Sequence, residues 1–217
     1  IPISLKLTGF SMILTIVFGV GSGVLMAVKK DRLLDHVLGT FSTVALSVPG
    51  FWIAIVLIFI FAEQWKILPS SGISDGSGFI LPAITLALPS IGVCARLTRS
   101  AILDEIGRQY MTVADAKGMS RRRAVIRHAF GNALIPIITY LGNHMAGIIG
   151  GASIVETIFA IPGIGSYAIA GVQSKDYYVV QAYVLFSGCI YVLTNILIDL
   201  IYIALDPKIR AGEAVES

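Results

Sequence analysis

Ionisable side chains that could do chemistry are sparse in the apolar parts of this chain. His144 lies about ten residues into one apolar run. Asp199 lies near the end of another, where we expect it to form a structural pair with Asn195 one turn earlier. Ionisable groups inside membrane-spanning segments are functional candidates, and a neutral imidazole suits nickel and other divalent metals. No second His, Asp or Glu stands close to His144 in the sequence. His144 is therefore a candidate transient metal ligand or helix–helix hydrogen bonder, and no fixed metal site is predicted.

The sequence has no motif typical of ATP hydrolysis or of nucleophilic catalysis. The chain has no G-x-x-x-x-G-K-[ST] phosphate loop, so ATP hydrolysis is not expected on it. No spacing places a Ser or Cys nucleophile beside a base, which disfavours a membrane-embedded hydrolase. Cys94 and Cys189 lie in apolar runs, where thiols are usually inert. We predict a non-catalytic chain that binds no cofactor itself.

The longest polar stretch is VADAKGMSRRRAVIRHAFGNALIPII, residues 113–138. Within a dozen residues it carries Lys117, Arg121, Arg122, Arg123, Arg127 and His128. Helical apolar spacing before Gly118, a natural helix stop, and a possible N-cap at Ser120 predict two short helices joined at a glycine corner. Few aromatics are available to stack bases, so nucleic-acid binding fits poorly. Contact with anionic lipid headgroups and docking of a soluble partner are the remaining alternatives.

Membrane helices are the elements expected to position these residues. Apolar types make up 56% of the 217 residues and charged types 13%, against about 25% charged in soluble domains. Five continuous runs are long enough to cross a bilayer: about 5–28, 37–62, 79–97, 134–154 and 182–205. We therefore expect an all-α, polytopic helical bundle, with residues 1–217 forming one transmembrane domain and residues of about 99–131 a separate polar segment.

Basic residues are unevenly divided between the loops. Thirteen lysines and arginines follow spans one, three and five, and three lie on the opposite side. The positive-inside rule places the thirteen in the cytoplasm, with the C-terminus inside and the N-terminus outside. An outside N-terminus without a signal is awkward to insert, so we expect one further span before Ile1 and six spans in the full protein.

Prolines and small residues indicate how the spans pack. Pro49, Pro82 and Pro89 each remove a backbone donor, so kinks are expected there. Broken helices often line transport pathways, which makes Pro49, Pro89, Asn143 and His144 candidates for a translocation path. Gly19 and Gly23, four residues apart, are expected to allow close helix packing.

A set of sequence blocks resembles one family. The blocks are ILPAITLALPSIGVCARLTRSAILDE, YMTVADAKGMS, RHAFGNALIPIITYLG, GGASIVETIFAIPGIG, KDYYVVQ and NILIDLIYIALDPKIR. They resemble the dipeptide, oligopeptide and nickel branch of ABC importer permeases, of the type I fold. The general permease signature is mostly absent: Glu-Ala-Ala falls on Thr112, Val113 and Ala114, and the later Leu-Pro falls on Phe130 and Gly131.

The resemblance implies a coupling element around Gly118 that sits in a cleft of an ATPase subunit. Its residues are Thr112, Val113, Ala114, Asp115, Ala116, Lys117, Gly118, Met119, Ser120, Arg121, Arg122 and Arg123. The resemblance also implies two ATPase subunits that bind ATP and Mg²⁺, a second permease subunit that is a paralogue, and an extracytoplasmic substrate-binding protein. The complex would lie in the bacterial plasma (inner) membrane.

The cargo is predicted from smaller features of the sequence. Nickel-transport members of the branch resemble this chain in a His after Gly-x, here Gly142 to His144, and in a short segment like Glu63 to Gly78. We therefore expect nickel or a metal chelate as cargo, with di- or oligopeptides as the alternative. An ion channel or secondary transporter is the alternative of another class. The segment from Glu156 to Gln181, with IPGIG, is expected to form a tight turn that is a re-entrant piece, an external gate or a plain capped loop. Glu156 is expected at the external interface.

Overall fold

The computed structural model describes residues 2–73, 76–108 and 129–205, and in these ranges the chain is helical without β-strands. In chain order the helices are α1 (Pro2–Val28), α2 (Leu33–Ser47), α3 (Gly50–Gln64), α4 (Ile80–Ile106), α5 (Phe130–Gly151), α6 (Ser153–Ile158), α7 (Ile164–Gln173) and α8 (Tyr177–Leu205). A 3₁₀ turn, Gly76–Phe79, leads into α4. The predicted all-α bundle is confirmed.

Helix α1 lies close against α4 because its glycines face that helix. A methyl group on Gly23 would lie 2.5 Å from Thr98 Cβ, and one on Gly19 would lie 2.8 Å from Cys94 Cβ. Neither position has room for a side chain without moving the helices apart. The close packing predicted from the four-residue glycine spacing is confirmed.

Helices α2 and α3 meet at a bend of 102°. Pro49 stands at the break, and Val48 before it is extended, as the residue before a proline prefers to be. The Pro49 carbonyl accepts hydrogen bonds from the N–H groups of Trp52 and Ile53, which starts α3. The predicted kink at Pro49 is therefore a sharp break that divides the run 37–62 into two helices.

Helix α4 continues through both of its prolines. Pro82 lies in the first turn, where a missing N–H costs nothing, so the kink predicted there is wrong. Pro89 lies inside the helix, which nevertheless runs on to Ile106. Residues 99–106, predicted as the start of a separate polar segment, are thus a direct helical extension of the apolar run 79–97.

Two buried apolar clusters lie at opposite ends of α4. One contains Ala27, Ile102, Ala129, Ala133 and Ile137. The other contains Leu7, Ala54, Leu81, Ala83, Val155, Phe159 and Ile161. Because each cluster takes residues from α1, α4 and a later helix or turn, burial of apolar surface ties these elements together at both ends.

Helices occupy all five predicted apolar runs. Among the described residues, three helices are long and apolar enough to cross a membrane: Pro2–Val28, Gly76–Ile106 and Tyr177–Ile201. The bent pair α2–α3 adds a fourth if it is one span, whereas α5 is not in this group. Five spans therefore stay a prediction. The span in α8 is only 11% buried and exposes a row of apolar side chains, as a helix in contact with lipid does.

Candidate functional site

A small polar group lies in the middle of the contact between α4 and α5. It consists of Ser90 on α4 and of Tyr140 and His144, one turn apart on the same face of α5. The Tyr140 hydroxyl donates to the Ser90 carbonyl oxygen at 3.2 Å. The Tyr140 and His144 rings are stacked, with centroids 5.7 Å apart and planes 2° from parallel. This arrangement holds the imidazole in one orientation.

The two ring nitrogens of His144 have different surroundings. Nδ1 lies 3.5 Å from the Ser90 Oγ, and the Ser90 hydroxyl itself donates to the Leu86 carbonyl at 3.2 Å. Ser90 Oγ can then accept a hydrogen bond from Nδ1–H, and in that tautomer Nε2 is an acceptor. Among the described residues, Nε2 is buried and has no hydrogen-bond partner. Leaving a buried acceptor unpaired costs about 1–3 kcal/mol.

The other predicted path residues are not joined to this group. Pro89 directly precedes Ser90 and lies half-buried beside it, whereas Asn143 is exposed on α5 and Pro49 is exposed at the α2–α3 bend. In the described ranges no hydrogen bond links Asn143 or Pro49 to Ser90, Tyr140 or His144. The structure therefore brings together His144 and the segment of Pro89, and leaves the other two residues apart from them.

The surroundings of His144 are those of a hydrogen bonder. Within the described part of the chain, no group of three or more His, Cys, Asp or Glu side chains could hold a metal ion. The polar neighbours of the imidazole are the hydroxyl of Ser90 and the stacked ring of Tyr140, and neither is a metal ligand of the kind that would complete a nickel site.

All the predicted coupling residues, 112–123, lie outside the described residues, as does the predicted glycine corner. The structure shows what flanks them. Asn132 near the start of α5 donates from Nδ2 to Glu105 Oε2 near the end of α4, at 3.1 Å. Glu105 also pairs with Arg108, whose Nε lies 2.9 Å from Oε1. The helix ends on either side of residues 109–128 are thus joined by a hydrogen bond.

An ion pair that the sequence analysis missed lies beside this point. Arg99 on α4 donates from Nε to Asp35 Oδ1 at 2.7 Å and from Nη2 to Asp35 Oδ2 at 2.8 Å. Asp35, in the first turn of α2, is only 5% exposed and also accepts the Asp31 N–H at 3.0 Å. Two parallel bonds fix the relative position of α2 and α4. The sequence signal that could have indicated this ion pair is Asp35 itself, an acidic residue at the start of an apolar run.

Glu156 was expected at the external interface, but the structure buries it, with 1% exposure. Its Oε1 accepts the Ser4 hydroxyl at 2.6 Å, and its Oε2 accepts the Ser166 N–H at 2.9 Å. Ser4 Oγ in turn accepts the Ile164 N–H at 3.0 Å. The carboxylate therefore caps the N-terminus of α7, where a negative charge is favourable. The predicted turn at IPGIG is present, and this network holds it against α1.

The predicted structural pair of Asn195 and Asp199 does not form. Asn195 donates from Nδ2 to the Tyr191 carbonyl one turn earlier, at 2.9 Å. Asp199 is exposed on α8. A side-chain amide in a helix bonds readily to the preceding turn, and that local contact replaces the predicted one.

The helical fold and the long apolar helices are those of a membrane protein. Residues 19–211 match the family "Binding-protein-dependent transport system inner membrane component", and the chain belongs to this family. It is therefore a permease subunit of an ABC importer, a multi-pass protein of the inner membrane and a non-catalytic member of its complex.

Three curated relatives show the branch. The chain is 39% identical over 215 residues to a probable peptide ABC transporter permease, y4tP, of Sinorhizobium fredii, covering 95% of this chain and 69% of that protein. It is 34% identical over 209 residues to the dipeptide transport system permease DppB of Bacillus subtilis, covering 96% and 68%. It is 34% identical over 207 residues to the glutathione transport system permease GsiC of Escherichia coli K12, covering 95% and 68%.

Two solved structures share the fold. The MetNI methionine ABC transporter, in inward-facing conformations, aligns with a TM-score of 0.76 at 17% identity, over 94% of this chain and 93% of that one. An amino acid ABC transporter with histidines aligns with a TM-score of 0.68 at 19% identity, over 92% and 91%. The resemblance to the dipeptide and oligopeptide branch is thus confirmed, whereas these comparisons give nickel as cargo no support.

Proposed function

We propose that this chain forms part of the translocation path of an importer for di- or oligopeptides. The observation that carries the proposal is its 39% identity, over 95% of its length, to a probable peptide permease. The relatives named for dipeptide and glutathione transport point to the same cargo class, since glutathione is itself a small peptide. This is the alternative cargo of the sequence analysis, and it replaces nickel as the main one.

The partners follow from this role. Because the chain has no phosphate loop, ATP and Mg²⁺ would bind to two separate ATPase subunits. A second permease subunit, a paralogue, would complete the path, and an extracytoplasmic binding protein would deliver the peptide. The C-terminus would face the cytoplasm, on the side of most basic residues.

Residues 112–123 would be the coupling element, with Gly118 at its corner. Two features of the described residues support this position. The element connects α4 and α5, which meet at the Glu105–Asn132 hydrogen bond, and α5 carries His144. A displacement of the element by an ATPase would therefore reach the polar group in the middle of the bundle through rigid helices.

His144 would contact the passing peptide. Its bare Nε2 acceptor suits an N–H donor, and a peptide offers such donors in its amides and its amino terminus. Pro89, beside Ser90 in α4, would shape the same level of the path, and Asn143 and Pro49 would line it elsewhere.

Uptake in a strain that lacks its own peptide importers tests the cargo. The full-length permease is expressed with its neighbouring ATPase, permease and binding-protein genes, and labelled dipeptide, labelled pentapeptide and radioactive nickel are supplied in parallel. Saturable peptide uptake without nickel uptake is the expected result. Nickel uptake without peptide uptake would contradict the proposal.

A second experiment tests the coupling element. Gly118→Arg places a long side chain at the corner and is expected to abolish both co-purification of the ATPases and uptake. Gly131→Ala is the matched control, since an added methyl group at Gly131 meets no atom within 4 Å. Normal uptake and normal ATPase recovery in Gly118→Arg would show that coupling occurs elsewhere.

A further inference from the structure

A groove of about 480 Å³ lies between α2 and α4, close to the Arg99–Asp35 ion pair. Its lining residues are Leu46, Val93, Arg96, Leu97, Arg99 and Ser100. The path, the coupling element and the His144 group do not account for this groove. We call it the α2–α4 groove.

The groove is apolar at one end and cationic at the other. Helices α2 and α4 run antiparallel, since Asp35 pairs with Arg99 while Gly92 packs against the backbone of Ser42. The Leu46 side chain lies against Gly92, next to Val93, and Ser100 lies about 10 Å further along α4 than Val93, at 1.5 Å per residue. A molecule that fills the groove would need an apolar part and an anionic part about one nanometre apart or less.

One positive charge in the groove is uncompensated. Arg99 gives both of its described hydrogen bonds to Asp35, so that pair is neutral. Arg96 is exposed, and in the described ranges no carboxylate lies within ion-pair distance of it. Ser100 lies one turn further on the same face of α4 and adds a hydroxyl donor. A guanidinium beside a hydroxyl is a suitable pair of donors for a phosphate oxygen.

The cationic end of the groove lies at the level of lipid headgroups. Helix α4 lies within a segment able to span a membrane, Gly76–Ile106, and Arg96 stands about 24 Å along α4 from Ile80. The hydrocarbon core of a bilayer is about 30 Å thick. Arg96 can therefore extend its side chain to the headgroups on this side, while Val93 and Leu46 remain among the acyl chains.

We propose that the α2–α4 groove binds one anionic phospholipid. The phosphate lies on Arg96 and Ser100, and one acyl chain lies along Leu46, Val93 and Leu97. Free phosphate would share the contacts with Arg96 and Ser100, but it would leave the apolar wall uncovered. Basic pockets between membrane helices select acidic headgroups in this way. The bound lipid would join α2 to α4 next to the point from which the coupling element starts.

Native mass spectrometry of the assembled transporter tests this site. The complex, with the full-length permease, is purified, stripped of lipid and titrated with phosphatidylglycerol and with phosphatidylcholine. Arg96→Gln removes the free charge, and Lys30→Gln removes an exposed charge at the same end of the bundle but outside the groove. Arg96→Gln is expected to weaken the binding of one phosphatidylglycerol about fivefold, from about 1 kcal/mol per basic residue, and Lys30→Gln to leave it unchanged.

Three other outcomes would overturn the proposal. Equal losses in Arg96→Gln and Lys30→Gln would indicate diffuse surface charge rather than a site. Equal affinity of the unmodified complex for phosphatidylcholine and phosphatidylglycerol would show that the Arg96 charge does not select an anionic headgroup. Displacement of phosphatidylglycerol by millimolar inorganic phosphate would identify a site for free anions.

Discussion

Two buried carboxylates hold the two ends of this bundle, and they are satisfied by different groups. Asp35 pairs with a cation, Arg99, whose side chain is 31% exposed. Glu156 has neutral partners, the Ser4 hydroxyl and the Ser166 N–H, and is almost completely buried. We refer to the first region, with Asp35, Arg99, Glu105 and Asn132, as the Arg99 platform, and to the second, residues 153–166 with Ser4, as the Glu156 corner.

The difference indicates two mechanical roles. At the Glu156 corner, the Ser166 N–H and the short Ser4 side chain hold the carboxylate, so moving this contact would disturb the first turn of α7. At the Arg99 platform, long side chains hold two buried carboxylates, and the cations that pair with them are partly or largely exposed. Water can solvate these cations if the pairs open, which lowers the cost of breaking them. We infer that the corner is a rigid support and that the platform is the region where coupled movement begins.

The largest expected effect is at the Glu156 corner. Glu156→Ala leaves the Ser4 hydroxyl and the Ser166 N–H buried without their acceptor, and it is expected to lower the free energy of unfolding by about 3 kcal/mol. Thermal unfolding of the purified transporter measures the change. Glu63→Ala, at an exposed position, is the matched control and is expected to change stability by less than about 0.5 kcal/mol. Equal unfolding temperatures for these two variants would remove the rigid-support role.

The next effect tests whether the Arg99 platform depends on packing. Gly23→Ala places a methyl group 2.5 Å from Thr98 Cβ and 2.6 Å from the Ala95 carbonyl oxygen. Because a backbone atom has to move, we expect a loss of about 2 kcal/mol. Gly21→Ala, on the same helix, meets no atom within 4 Å and should be neutral or stabilising. Equal stability of the two variants would show that α1 and α4 can separate freely.

A smaller effect is expected from the ion pair of the platform. A double-mutant cycle with Asp35→Ala and Arg99→Ala should give a coupling free energy of about 1 kcal/mol, because solvent screens the partly exposed guanidinium. The unfolding temperatures of the four proteins provide the measurement. A coupling above about 3 kcal/mol would make the platform as rigid as the corner and end the distinction between them.

The smallest effect on stability is expected for a substitution of His144, which lies between the two regions. His144→Phe keeps a ring that can stack on Tyr140 and removes the unpartnered Nε2, so stability should be unchanged or higher by up to about 1 kcal/mol. Peptide uptake should fall because the acceptor is lost. Tyr140→Phe is the control that breaks a hydrogen bond of the same group. Lower stability with normal uptake in His144→Phe would show that His144 only supports the structure.

Much of the fold could be predicted because it rests on local patterns. The apolar runs became helices since backbone groups in lipid must be satisfied within the segment. Gly19 and Gly23 predicted a close approach because small residues at helical spacing leave a groove for a neighbour. Pro49 predicted a break, although its 102° angle was not foreseen. The kink predicted at Pro82 was wrong, because the effect of a proline depends on whether it falls at the start of a helix or inside one.

The candidate sites were less predictable because they join distant residues. Ser4 and Glu156 are 152 positions apart, and Asp35 and Arg99 are 64 apart. The residues next to each carboxylate in the sequence do not indicate which distant residue it binds. His144 was found as an ionisable residue in an apolar run, but its stack on Tyr140 and its distance to Ser90 required the packing of α5 against α4.

The sequence alone indicated a helical membrane protein whose blocks resemble the dipeptide, oligopeptide and nickel branch of importer permeases, since these properties depend on composition and on contiguous residues. The tertiary structure alone decided which carboxylates are buried and what satisfies each of them. It also decided that, within the described ranges, Arg96 has no carboxylate partner beside the groove while Arg99 has one. These properties depend on which helices lie side by side, and the packing of side chains between helices sets that order.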